Sequence, residues 1–343
     1  MKEICETTSS ESSVDCCEPA MPGGCAPILL VGFNRPELLR GLVAILAKVR
    51  PPKIYLAVDG PRPDRPGEVE KCAACAAVAD AIDWPCEVKK FVREKNLGCR
   101  LGVSGAIDWF FSQEEEGIIL EDDCWPDPSF LHFATELLAR YRDDERVGMI
   151  SAQNPYGFIS NSTDSYRFSN QVLIWGWATW RRAWKLNQSD PEAFRVTGPD
   201  IIRTANLTRR MRIMYGRFLK GVLESRSTWD VPWMLSLQSH GLLSIIARHN
   251  LVANRGHGLE GTHTGGYAYD HYLFEKSAEM PFPLVHPATV ARDVEADRLY
   301  ELRSFAWLPR ILTVVGAKLG AFGRAIADSA QRIERLVPWV FRI

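Results

Sequence analysis

The sequence contains no apolar run of the ~18–20 residues that a membrane-spanning helix needs. Its opening stretch, MKEICETTSSESSVDCCEPAMPGG, lacks the apolar centre of a secretory leader. An intracellular protein is therefore the expectation, and the tripeptides starting at Asn161, Asn187 and Asn206 read as chance matches to a glycosylation signal. Charge of one sign is missing too. The 41 Lys and Arg face 42 Asp and Glu, a formal net charge of −1, so no global field favours nucleic acid. There is no GxxxxGK(S/T) loop, which disfavours a P-loop NTPase. Cys72 and Cys75 form a CxxC with no second pair and no neighbouring His, weak evidence for zinc. Inside the Ala-rich run KCAACAAVADAI they read as small packing residues.

What is present is ordinary in bulk and uneven in detail. Hydrophobic residues make up 46% and charged residues 24%, as in most globular proteins, and 343 residues suffice for one large domain or two modest ones. Residues 1–26, rich in Ser, Thr, Glu, Gly and Pro, read as a disordered tail. From Pro27 the pattern alternates: strand PILLVGF, helix ELLRGLVAILAKV opened by Pro36, strand KIYLAVDG, helix VEKCAACAAVADAI and strand CEVKKFVRE. A helix from about Leu101 to Phe111, the strand GIIL, the helix FLHFATELLARY and the strand VGMIS follow. Such alternation predicts a mostly parallel sheet flanked by helices, with its ligand crevice beyond the C-terminal strand ends. Phe33, Asp59 and the acids after GIIL all fall at that edge. The second half is less regular, with a loop expected over 152–170, an aromatic insert QVLIWGWATWRRAW and a helical stretch from about Ile201 to Glu224.

The stretch GIILEDDCWPD poses the main question. An apolar strand runs straight into three consecutive carboxylates, Glu121, Asp122 and Asp123. Alternation along a strand would point Glu121 and Asp123 to one side and Asp122 to the other. Like charges gather either because the strand end is solvated or because something cationic sits among them. A hard divalent ion, Mn2+ or Mg2+, suits such oxygen donors.

LEDDCWPDPSFLHF resembles the acidic motif of GT-A-fold glycosyltransferases, in the Glu-Asp-Asp version found in N-acetylglucosaminyltransferase I and in a set of bacterial sugar-nucleotide transferases. VGFNRPELLR, LAVDG, NLGCRLGVSGAIDWFF, WGWATWRRAW and STWDVPW resemble further segments of that family in matching order, over roughly Pro27 to His263. The resemblance implies an α/β GT-A (Rossmann-like) fold and a metal-dependent transfer of sugar from a nucleotide-sugar, UDP-sugar foremost, to an acceptor hydroxyl. It also implies that Asp123 binds the metal, with His263 as a further candidate ligand and His257 a weaker one. Glu121 and Asp122 would contact the donor's sugar and ribose, Asp59 the base, and Arg35 and Arg100 the diphosphate. Two alternatives stay open, a non-catalytic nucleotide-sugar-binding protein and a sugar nucleotidyltransferase. VGFNRPELLR, however, lacks the Gly-rich basic loop expected of the latter.

Attack on an anomeric carbon benefits from a carboxylate that takes the hydroxyl proton. Asp230, between Trp229 and Trp233, is the candidate, and a single attack through it inverts the configuration. The same Asp before Val-Pro-Trp also reads as a helix N-cap. Trp177 and Trp229 are candidates for stacking on the acceptor, with core packing as the alternative, and Gly176 between two Trp points to a close backbone approach. Residues 27–151 then form the nucleotide-sugar half and 152–300 the acceptor half, whose acceptor is a glycan, a lipid-linked sugar or a protein. Residues 301–343 form a helical tail. From Leu302 that tail carries seven basic against two acidic residues, with aromatics. It reads either as a packed helix or as a peripheral contact with the inner face of a membrane.

Overall fold

The computed structural model describes residues 24–157, 162–205, 207–225, 227–256 and 276–304. Five elements open the fold: β1 (Ile28–Gly32), α1 (Pro36–Val49), β2 (Lys53–Val58), α2 (Glu68–Ala77) and β3 (Glu87–Val92). They are followed by α3 (Gly98–Phe111), β4 (Glu116–Glu121), β5 (Cys124–Pro126), α4 (Pro128–Arg140) and β6 (Val147–Ser151). The second half contributes β7 (Tyr166–Ser169), β8 (Trp177–Trp180), α5 (Arg181–Trp184), α6 (Phe194–Thr204) and α7 (Arg209–Ser225). The last described elements are α8 (Asp230–Ser239), β9 (Leu243–Ala247), β10 (Val252–Asn254) and α9 (Val294–Ser304).

Eight strands form one sheet in the order β3-β2-β1-β4-β8-β6-β9-β7. The pairs β3/β2/β1/β4 and β6/β9 are parallel, whereas β8 lies antiparallel between β4 and β6, and β7 closes the edge antiparallel to β9. This is the mixed, mostly parallel α/β sheet expected. Strands from both halves of the chain share it.

Period-2 alternation in β1 shows how the sheet is covered. Ile28 and Leu30 face the layer of α1, α2 and α4, while Leu29 and Val31 face α3 and a Trp cluster. All four are buried, each worth roughly 1.5–3 kcal/mol in removed apolar surface. Helix starts follow their sequence signals. Pro36 opens α1, and Asp127 caps α4 by accepting from the Ser129 amide at 3.0 Å, with Pro128 next. Cys72 and Cys75 are buried free thiols in α2, packing residues as expected.

Three sequence readings need correction. β4 ends at Glu121, so Asp122 and Asp123 form a turn into β5 and the strand alternation does not extend to them. The loop expected over 152–170 contains β7. The helical stretch 201–224 breaks at Ala205, an extended residue, into α6 and α7.

Far from the acids, α9 is fixed to the sheet by a buried ion cluster. Asp297, 0% exposed, accepts from Arg167 Nη1 and Arg292 Nε, both at 2.6 Å, from the Asn170 amide at 3.1 Å and from the Ser169 hydroxyl.

Candidate functional site

β1, β2 and β4 run in parallel and end side by side, which brings Arg35, Asp59 and the acidic turn to one edge. The cation among the like charges is Arg35. From the turn between β1 and α1 it donates Nε to Asp122 Oδ2 at 3.1 Å and Nη2 to Asp122 Oδ1, and the same Nη2 reaches Asp123 Oδ2 at 3.0 Å. Bidentate pairing suits the planar guanidinium. Burial pushes the Asp122 carboxyl well above the usual carboxylate range, and Arg35 offsets only part of that rise.

The turn that presents Arg35 is itself braced. Asn34 Nδ2 donates to the buried Glu68 at 2.9 Å, Arg62 Nε donates to the same carboxylate at 3.0 Å, and the Arg62 guanidinium lies 5.4 Å from the Phe33 ring centre. The hydrogen bonds from Arg62 lead in holding Glu68 down at about 2. On the acid side, the Asp122 amide donates to Val31 O, and Trp125 Nε1 donates to Leu38 O and Asp122 O at 3.1 and 3.2 Å. Trp125 sits against α1 at Gly41, where any Cβ would overlap its ring. β10 pairs with β5, the Arg255 amide donates to Asp123 O at 2.8 Å, and a Cβ at Gly256 would overlap Asp123 Oδ2. Gly176 has φ +61°, and a Cβ there would press on Ala152 and Val252 and touch Leu120 beside the acidic turn.

Glu121 is treated differently. Among the described residues, no side chain donates to it. Burial, then Asp123, Asp122 and Asp230, push its carboxyl up to about 8. The influence of Asp230, 109 positions away in the chain, places its charge near the acid edge. Cys99, in the first turn of α3, belongs to the same group, its thiol pushed up to about 12 by burial and then by Glu121 and Asp230. Asp230 is the first residue of α8, and Trp229 occupies the cap position. Its Oδ1 accepts from the Thr228 hydroxyl and from the Val231 amide at 2.8 Å, while Oδ2 has no donor among the described residues.

Asp59 serves the backbone. It accepts from the amides of Gly60 (3.0 Å), Leu97 and Gly98 (both 3.1 Å) and from Asn96 Nδ2 (3.1 Å), capping α3 from the end of β2. Arg100 Nη1 donates to Ser189 O at 3.1 Å. Trp177 and Trp229 are 1% and 3% exposed. Their rings stack on each other at 5.6 Å and pack against Trp184 and Trp233, so packing, not a solvent-facing platform, uses their surfaces. His257 and His263 lie outside the described residues, as does nearly all of 301–343. Sequence reading missed Asn96, Cys99, Thr228 and Gly256. Only Thr228, two residues before an Asp at a helix start, carried a local signal.

Among the described residues, no three His, Cys, Asp or Glu side chains are placed to hold a metal ion. Both Asp122 oxygens face Arg35, and Asp123 Oδ2 accepts from Arg35 beside Gly256, where a side chain would overlap it.

No family model matches the chain, and no curated protein matches it. Among solved structures, the mannosyltransferase PcManGT of Pyrobaculum calidifontis, in complex with GDP-Man and Mn2+, is similar at 12% identity with TM-score 0.37, over 64% of this chain and 72% of that one. Mouse xyloside xylosyltransferase 1 is similar at 9% identity with TM-score 0.33, over 75% and 99%. HddC of Yersinia pseudotuberculosis is similar at 10% identity with TM-score 0.31, over 50% and 84%. Likenesses this distant carry nothing about the residues of the site.

Proposed function

We propose that the chain is a glycosyltransferase that moves a sugar from a nucleoside-diphosphate sugar, UDP-sugar foremost, to an acceptor hydroxyl with inversion. The observation that supports this reading best is that Asp230, at the start of α8, lies near enough to Glu121 at the C-terminal edge of the parallel strands for its charge to help raise the Glu121 carboxyl. Asp230 Oδ2, free of donors among the described residues, takes the proton of the acceptor hydroxyl. The hydroxyl oxygen forms the new bond to the anomeric carbon as the bond to the diphosphate breaks, and the diphosphate leaves with the electron pair. Glu121, protonated through most of the neutral range, donates a hydrogen bond to the sugar. Arg35 lends part of its charge to the leaving group.

The Mn2+ or Mg2+ expected from the acidic motif does not fit the described donor set, because no three His, Cys, Asp or Glu side chains are placed to hold it among the described residues and Arg35 takes both Asp122 oxygens and Asp123 Oδ2. No step is routed through it.

The test is a donor screen reading released nucleotide by mass spectrometry, alongside thermal shift with UDP, GDP and CMP. Asp230→Asn is expected to keep the nucleotide-induced shift and to lose transfer by about 10²–10⁴-fold. Loss of the shift as well would make Asp230 a structural residue of α8. Absence of any nucleotide response in the unmodified protein would overturn the reading.

A further inference from the structure

α7 has an outer face that nothing in the fold explains. Its inner face is ordinary: Met211, Tyr215, Leu219 and Val222 are buried against α6 and α8. On the outside stand Arg209, Arg210, Arg212, Arg217 and Lys220, all exposed, with Glu224 the helix's one acid. Lys220 approaches Glu224 at 3.9 Å, whereas the four Arg side chains make no ion pair or hydrogen bond with the described residues. Neighbouring α6 is different, since Arg195 pairs with Glu192 and Arg203 with Asp200.

Three of the four Arg crowd the first turn of α7, where the helix dipole disfavours positive charge. Placement there costs stability and serves nothing inside the fold. Two large apolar side chains are exposed on the same helix, Ile213 at 52% and Phe218 at 42%. Ile213 is one turn from Arg209 and one turn from Arg217, so it stands in the middle of the cationic stripe. A soluble polyanion would reward the Arg residues alone. A bilayer surface with anionic headgroups rewards both, because the guanidinium groups meet phosphates while Ile213 and Phe218 enter the interface.

We propose that α7 docks this protein on an anionic membrane surface. The docking stands whether or not the chain transfers sugar. α7 ends at Ser225, shortly before Asp230 opens α8, so a membrane bound by α7 lies next to the segment that leads into the acid edge.

The experiment is flotation of the full chain with phosphatidylcholine vesicles and with vesicles in which about one third of the lipid is phosphatidylserine. Binding is expected only to the anionic vesicles and should weaken as salt is raised. The triple variant Arg209→Glu, Arg210→Glu, Arg217→Glu leaves 301–343 intact and is expected to lower partitioning on the order of a hundredfold. The pair Ile213→Ser, Phe218→Ser is expected to lower vesicle binding about tenfold while leaving any affinity for soluble DNA unchanged. Circular dichroism confirms folding of each variant, whose changes all lie on the solvent face. Unchanged partitioning of the triple variant overturns the proposal and assigns any binding to another segment. Equal binding to DNA and vesicles, insensitive to the Ser substitutions, overturns it in favour of a soluble polyanion.

Discussion

Two groups of buried carboxylates in this protein follow opposite rules. Asp297 itself is fully answered: two Arg, a hydroxyl and an amide converge on one carboxylate. At the end of β4, Asp122 and Asp123 share one guanidinium, and among the described residues no side chain donates to Glu121. The first arrangement locks α9 onto the sheet. The second leaves a carboxyl poised to exchange a proton near neutral pH, a state that favours chemistry over stability.

The contrast can be broken most severely at the compensated end. Asp297→Ala strands Arg167 and Arg292 in a dry environment and is expected to cost about 4–5 kcal/mol, read as a lowered denaturant midpoint. Nucleotide-induced stabilisation, measured in whatever folded fraction remains, should survive.

Removing the shared cation comes next. Arg35→Gln leaves Asp122 buried without its partner and is expected to cost about 3 kcal/mol. This loss should shrink as pH falls and the acids take up protons, so chemical denaturation at pH 5 and pH 8 checks it. A pH-independent loss would mean that Arg35 acts mainly by packing.

The smallest effect has the opposite sign. An unfolded chain releases the Glu121 proton near 4.5, the folded protein near 8. The folded state therefore holds that proton more tightly, and stability declines as pH rises between the two values. Glu121→Gln is expected to be about 1–2 kcal/mol more stable than the unmodified protein at pH 9, allowing for partial solvent screening, and about equal to it at pH 4. Thermal melts at the two pH values decide the matter.

The sequence disclosed the local features well. Pro36, Asp127-Pro128 and the short apolar runs place α1, α4 and the parallel strands within a few residues of where they lie. Those signals are local, and local physics settles them. Features set by partners distant in the chain were hidden. Nothing in WGWATW says that β8 inserts antiparallel between β4 and β6, because the instruction lies in the pairing of Ile119 with Trp177 and of Ser151 with the same residue. The acidic triplet read either as a solvated strand end or as a seat for Mn2+ or Mg2+, whereas the cation found among the described residues is Arg35, 87 positions earlier than Asp122. Asp59 was legible as a carboxylate at a strand end. Its occupation by the amides of α3 was not, since that depends on how the 95–98 turn packs on Gly60. The Trp residues looked alike in the sequence, and only their burial assigns them to packing.

One small detail binds a core helix to the acidic turn. The indole of Trp125 occupies the space left by the missing side chain at Gly41 and holds the carbonyl of Asp122. Positions 41 and 125 are consequently free to drift only as a couple: a bulkier residue at the first demands a slimmer one at the second, and the peptide carrying Asp122 would then lose its tether.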